Sequence, residues 1–140
     1  MKNVYEILDD FVNAPTRAEK IEVLRKNGQF VLKSVLQGAY HPAIKFVIKK
    51  KPAYNISDAP PGLGYSNMDQ ELKRVYLFVE NSPKVDRNLT YERKEQILIQ
   101  ILEALEAKEA EVFMNMLLKD LKVKGLTPKI IEEAFPGLLS

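Results

Sequence analysis

Apolar residues recur three or four positions apart along most of the chain, which is the spacing of one helix face. Val4, Ile7, Leu8 and Phe11 predict a short amphipathic first helix, ended by Pro15. Thr16 opens a second helix, with Glu19 completing a capping-box pattern and Ile21, Val23 and Leu24 as apolar positions. Asn27-Gly28 closes it, Gly28 being suited to a left-handed cap. Phe30, Val31, Leu32, Val35 and Leu36 predict a third helix, interrupted by Gly38 and His41-Pro42. Pro42 suits the first turn of a fourth helix, where its missing N–H is no loss. That helix runs through Ile44, Phe46, Val47 and Ile48 to Lys49-Lys50-Lys51-Pro52. The run Ile44 to Ile48 also fits a short strand, but the neighbouring pattern favours helix.

Ala53 to Asn67 carries Pro60, Pro61, Gly62 and Gly64 and reads as a long loop, the kind of segment that is functional or mobile. Leu72, Val75, Tyr76 and Val79 mark a fifth helix, and a polar loop spans Ser82 to Asn88. After Thr90, half of a capping box with Arg93, come Ile97, Leu98, Ile101, Leu102 and Leu105, then Val112, Phe113, Met116, Leu117 and Leu121. Lys122, Lys124 and Gly125 close that stretch. Thr127-Pro128 starts a last short helix, which Pro136-Gly137 stops. No strand alternation, repeat or low-complexity tract competes. The expected architecture is all-α, one domain over residues 1–140, with seven or eight helices, and Phe46, Tyr76 and Phe113 in the core.

Composition narrows the class. At 140 residues, with 46% hydrophobic and 29% charged positions, the chain suits one self-sufficient globular domain. Without cysteine it has no disulfide framework, thiolate metal site or cysteine nucleophile. The opening Met1-Lys2-Asn3-Val4-Tyr5-Glu6 lacks the apolar stretch of a signal peptide, and no run approaches a membrane span, so the cytoplasm is the expected location. Net charge is only +2, but its distribution is uneven. Between Val23 and Ser57 there is no acid, while Arg25, Lys26, Lys33, Lys45, Lys49, Lys50 and Lys51 all fall there. The acids gather later, at Glu92, Glu95, Glu103, Glu106, Glu109 and Glu111. This predicts one basic surface on a nearly neutral protein. The plainer alternative is a solvated face whose counter-charges come from other helices.

Catalytic chemistry finds no foothold. His41 is the single histidine, with no cluster to make it a ligand, and suits a surface or capping role. Gly62-Leu63-Gly64 is too short for a dinucleotide fingerprint and reads as a turn. Asp9-Asp10 and Glu132-Glu133 are adjacent residues that do not face each other on a helix. The sequence therefore predicts no enzyme, no cofactor, no catalytic residue and no metal site.

Three short motifs, in order, carry a family resemblance. The first is Val23-Leu24-Arg25-Lys26-Asn27, Leu32-Lys33-Ser34-Val35, Tyr40 and Ile48-Lys49-Lys50-Lys51-Pro52. The second is Met116-Leu117-Leu118-Lys119-Asp120-Leu121 with Gly125 and Thr127, and the third is Phe135-Pro136-Gly137-Leu138. From about Ile21 to Leu138 the chain resembles the N-terminal DNA-binding domain of tailed-phage ATP-dependent DNA ligases. It departs at Lys122-Val123-Lys124-Gly125, where the glycine falls one residue later, and in the Asn55 to Asn67 segment. The Lys-x-Asp-Gly motif that carries adenylate in ligases is absent, so ligation is not implied.

The resemblance implies a stand-alone, non-catalytic module that grips duplex DNA, intact or nicked, through the sugar-phosphate backbone. Phage DNA replication or repair in the host cytoplasm is the implied setting. Lys45, Lys49, Lys50 and Lys51 would form one contact patch. Lys119, Lys122, Lys124 and Lys129 would surround a helix start at Thr127. The alternative is a module that binds a host or phage protein, using the Pro/Gly loop and the Leu138-Leu139 tail. No membrane partner is expected.

Overall fold

The computed structural model describes residues 2–60 and 63–140. Met1, Pro61 and Gly62 lie outside the described residues, and with them the first residue of the expected leaderless start and part of the Pro/Gly loop and its Gly62-Leu63-Gly64 turn. The described chain is all-helical: α1 (Val4–Asn13), α2 (Arg17–Lys26), α3 (Phe30–Tyr40), α4 (Met68–Leu72), α5 (Tyr91–Ala104), α6 (Ala107–Leu117) and α7 (Pro128–Ala134), with a 3₁₀ turn at Val75–Phe78. Among the described residues, none of these helices is long and apolar enough to cross a membrane.

The caps explain the helix starts. Thr16, Thr90 and Thr127 each accept a hydrogen bond from the backbone N–H three residues on, at 3.2, 3.1 and 3.3 Å. Before α1, Glu6 reaches back to the Asn3 N–H at 3.1 Å. Helix α6 is the hub. Seven of its eleven residues are buried, including Val112, Phe113, Met114, Met116 and Leu117, because it packs against α1, α3 and α5 at once. Phe113 meets Phe78 edge-on with ring centroids 6.5 Å apart. Helix α2 packs on α1 and α7 at the other end, where Arg17 forks onto Glu133 at 2.6 and 2.5 Å.

Four local expectations are corrected. The fourth helix does not form. Residues 44–60 form no helix, and Phe46 makes an isolated antiparallel bridge with Val79. Phe46 and Ile48 are 1% and 0% exposed while Lys45 and Lys49 face out, so the burial period is two rather than 3.6. The expected fifth helix divides into α4 and the 3₁₀ turn, and Tyr76 is 41% exposed rather than in the core. Gly38 does not interrupt α3, which continues through it to Tyr40. A Cβ on Gly38 would stand 2.8 Å from the Met116 Sδ, so the glycine is there for close helix approach. Gly28 is not left-handed. It makes room for Phe135, whose Cε1 would lie 2.6 Å from a Cβ. Among the described residues, the left-handed glycines are Gly125 and Gly137, at φ +83° and +87°.

Gly137 turns the chain after α7 back onto α3. The Glu132 carboxylate accepts the N–H groups of Gly137 (2.9 Å) and Leu139 (2.8 Å), and these two bonds hold its carboxyl below the usual range. Gln37 donates to the Leu138 carbonyl at 3.1 Å. Leu139 is buried, so the tail that could have served a partner is part of the core.

Candidate nucleic-acid interface

The basic stretch is built on a turn and a short paired segment. His41 ends α3, and Pro42 has no N–H with which to continue it. His41 Nδ1 accepts the Ala43 N–H at 3.0 Å and the His41 carbonyl accepts the Ile44 N–H at 3.2 Å, which turns the chain. An acceptor Nδ1 leaves the proton on Nε2, which reaches the Ser140 carbonyl at 3.2 Å. His41 is thus a turn residue. Residues 45–47 then pair with 78–80: Val47 N–H donates to the Phe78 carbonyl (2.8 Å) and Glu80 N–H to the Lys45 carbonyl (2.7 Å).

That pairing fixes which side chains reach solvent. Phe46 and Ile48 enter the core, and Lys45, Lys49, Lys50 and Lys51 are all exposed. Lys49 pairs with Glu80 at 3.1 Å, with the lysine side chain 66% exposed. Lys51 lies over the Tyr54 ring at 5.6 Å. Among the described residues, no ion pair joins Lys45 or Lys50 to an acid.

The second group of lysines divides. Lys119 is half-buried, and its Nζ donates to the carbonyls of Gly38 (2.7 Å), His41 (3.0 Å) and Ile44 (2.8 Å). Burial and, after it, the charge of Lys49 push its pKa down. All three of its N–H donors are occupied, so Lys119 has none to offer a phosphate without leaving this cage. Lys122, left-handed at φ +58°, is exposed and lines a groove of about 270 Å³ between α1 and α6. Lys108, Asp9 and Glu111 share that groove, so its charge is mixed. Lys124 is exposed beside Gly125. Thr127 caps α7, and Lys129 is exposed at a depression it shares with Tyr40, Pro42 and Glu132.

The fold therefore brings Lys45 to Lys51 and Lys119 together, sets Lys129 beside the Pro42 turn, and turns Lys122 toward a different groove. One residue of this patch escaped the sequence: Glu80, an acid inside the basic stretch. It reaches Lys45 and Lys49 only because the two segments pair, and a helical reading of both hides that contact.

A family of unknown function (DUF6433) matches residues 7–124, and the chain belongs to it. The match contains Lys45, Lys49, Lys50, Lys51, Lys119, Lys122 and Lys124, and it stops short of Thr127 and Lys129. No curated protein matches the chain.

Proposed function

We propose that this DUF6433 chain is a non-catalytic duplex DNA-binding module that contacts the sugar-phosphate backbone without reading sequence. The observation that carries the reading is the segment 45–51, where four lysines are exposed and the acid-free sequence from Val23 to Ser57 supplies no local counter-charge. The motif order that resembles the ligase DNA-binding domain supports it, as does the Lys129 side chain beside the Pro42 turn. Phage DNA replication or repair is the setting proposed with it. The Lys49–Glu80 pair is no obstacle, since an exposed ion pair contributes only about 0–1 kcal/mol and exchanges readily for a phosphate.

Four phosphate contacts would release counterions with a slope of about −3.6 in log K against log salt. Between about 50 and 200 mM salt, affinity would fall by roughly 100-fold. The test is fluorescence anisotropy of labelled intact, nicked and single-stranded DNA over a salt series. Replacing Lys49, Lys50 and Lys51 together with Glu abolishes duplex binding, and Glu80→Gln tightens it by freeing Lys49. A folded protein that binds no duplex at low salt overturns the reading.

One observation favours a protein partner as second reading. Ile56, Leu63 and Tyr65 are 67%, 71% and 95% exposed on the segment preceding α4. That segment is held at both ends on α5, by the Asn55 N–H on Glu103 (2.7 Å) and the Ser66 N–H on the Ala104 carbonyl (3.0 Å). Apolar side chains in water beside two such anchors suit a docking epitope. Replacing Leu63 and Tyr65 with Ser would then remove a partner and leave DNA binding unchanged.

A further inference from the structure

Helix α3 ends in an unusual way. In a continuing helix the Gly38 carbonyl would accept the N–H of residue 42, but that residue is Pro42. The carbonyl is left facing the protein, at the negative end of the helix, beside the carbonyls of the turn that follows. An unpaired buried carbonyl is costly, and a cation at a helix C-terminus is favoured. Lys119 supplies both the donor and the charge, with its three bonds to Gly38, His41 and Ile44 spanning the helix end, the turn and the first extended residue.

Its placement is specific. Gly38 is buried and lets Met116 approach to a distance a side chain would not allow, which brings the end of α6 against the end of α3. Lys119 then adopts φ +63°, a left-handed conformation that a non-glycine residue rarely takes. This leads its side chain back across α3 and over the Phe46 ring, 5.6 Å from the centroid. Phe46 is the residue bridged to Val79. One ammonium therefore contacts the helix end, the turn and the aromatic anchor of the segment whose next residues are Val47, Ile48 and Lys49.

We propose that Lys119 is a positioning residue: its ammonium holds residues 41–46 in place, so that Lys45, Lys49, Lys50 and Lys51 are presented together to the nucleic-acid backbone. Lys119 itself makes no phosphate contact. The inference rests on the duplex-binding reading for its consequence and on the carbonyl cage alone for its mechanism, so two readouts separate them.

The first readout is backbone amide exchange at Val47 and Glu80, whose N–H groups join the paired segments. It is measured in the wild type, Lys119→Met and Lys119→Arg, with circular dichroism confirming that the helices persist. Lys119→Met is expected to speed exchange at both amides by about ten-fold or more, and Lys119→Arg, which keeps charged donors, to restore most of the protection. The second readout is the salt slope of duplex binding. A residue making one phosphate contact removes about 0.9 from the slope when neutralised. A positioning residue that releases several lysines removes about 1.8 or more, and the arginine variant recovers it. Unchanged exchange in Lys119→Met overturns the inference whatever happens to binding. Lost protection with a slope change of about 0.9 or less also overturns it, and returns Lys119 to a single contact or none. If the wild type binds no duplex, the proposed function fails, and the exchange data still decide whether Lys119 holds the segment.

Discussion

Replacing Gly38 with Ala sets two effects of opposite sign against each other. Gly38 lies inside α3, where Ala is the better helix former by about 1 kcal/mol. On propensity alone the substitution would stabilise. The new Cβ, however, would stand 2.8 Å from Met116 Sδ, 3.0 Å from Met116 Cγ and 3.7 Å from Phe46 Cζ. Met116 is 0% exposed and Phe46 1%, so neither can swing into solvent. Forcing a methyl into such a core costs roughly 1–3 kcal/mol. The strain also falls on the residue whose carbonyl Lys119 caps, so relaxation by moving α3 loosens that bond. Packing wins: a net loss of up to about 2 kcal/mol is expected, a drop of up to several degrees in Tm at this chain length. Urea denaturation in a double-mutant cycle with Met116→Ala checks the cause. Met116→Ala alone costs about 2–5 kcal/mol, and together the two substitutions should cost at least about 1 kcal/mol less than their sum, because the cavity accepts the methyl. A stabilised Gly38→Ala protein with an additive cycle would refute the close-approach argument.

Two further outcomes follow from the caps and the buried acids. Thr127→Ala removes the bond to the Ile130 N–H and should cost about 1 kcal/mol, with Thr127→Ser restoring it; an unchanged thermal midpoint for the alanine variant would count against the cap. Glu109 is buried, and burial first, then the neighbouring Glu106, raises its pKa, against the lowering effect of the Met68 N–H it accepts at 3.0 Å. A raised folded-state pKa means that this group's stabilising contribution is full below the ordinary carboxylate range and is lost as pH rises through the raised value. Wild-type urea midpoints should therefore carry a downward component as pH rises above the ordinary carboxylate range, one that Glu109→Gln removes, and identical pH profiles for the two proteins would contradict the assignment.

Most helices were legible because their information is local. The apolar spacing of Val4, Ile7, Leu8 and Phe11 or of Ile97, Leu98, Ile101 and Leu102 admits one amphipathic helix each, and the threonines at 16, 90 and 127 mark starts within a turn of the residues they cap. The segment 44–48 was not legible, since five residues of mixed apolar character satisfy either period. Its choice was made by partners far along the chain: Val79 on one side and the Lys119 ammonium, 75 residues from Ile44, on the other. Partners remote in sequence also hid Glu80 inside the basic patch and turned two glycines expected to end helices into points of contact, Gly38 with Met116 and Gly28 with Phe135.

The sequence by itself determined an all-helical domain, the helix starts at the three capping threonines and the acid-free basic stretch, because periodicity, capping and charge count are properties of neighbouring residues. Only the tertiary structure decided which lysines are exposed on the same segment and which is consumed within the fold. Lys119 and Lys49 differ by no local signal, and they separate because Pro42 leaves a carbonyl unpaired that only a side chain arriving from the end of α6 reaches.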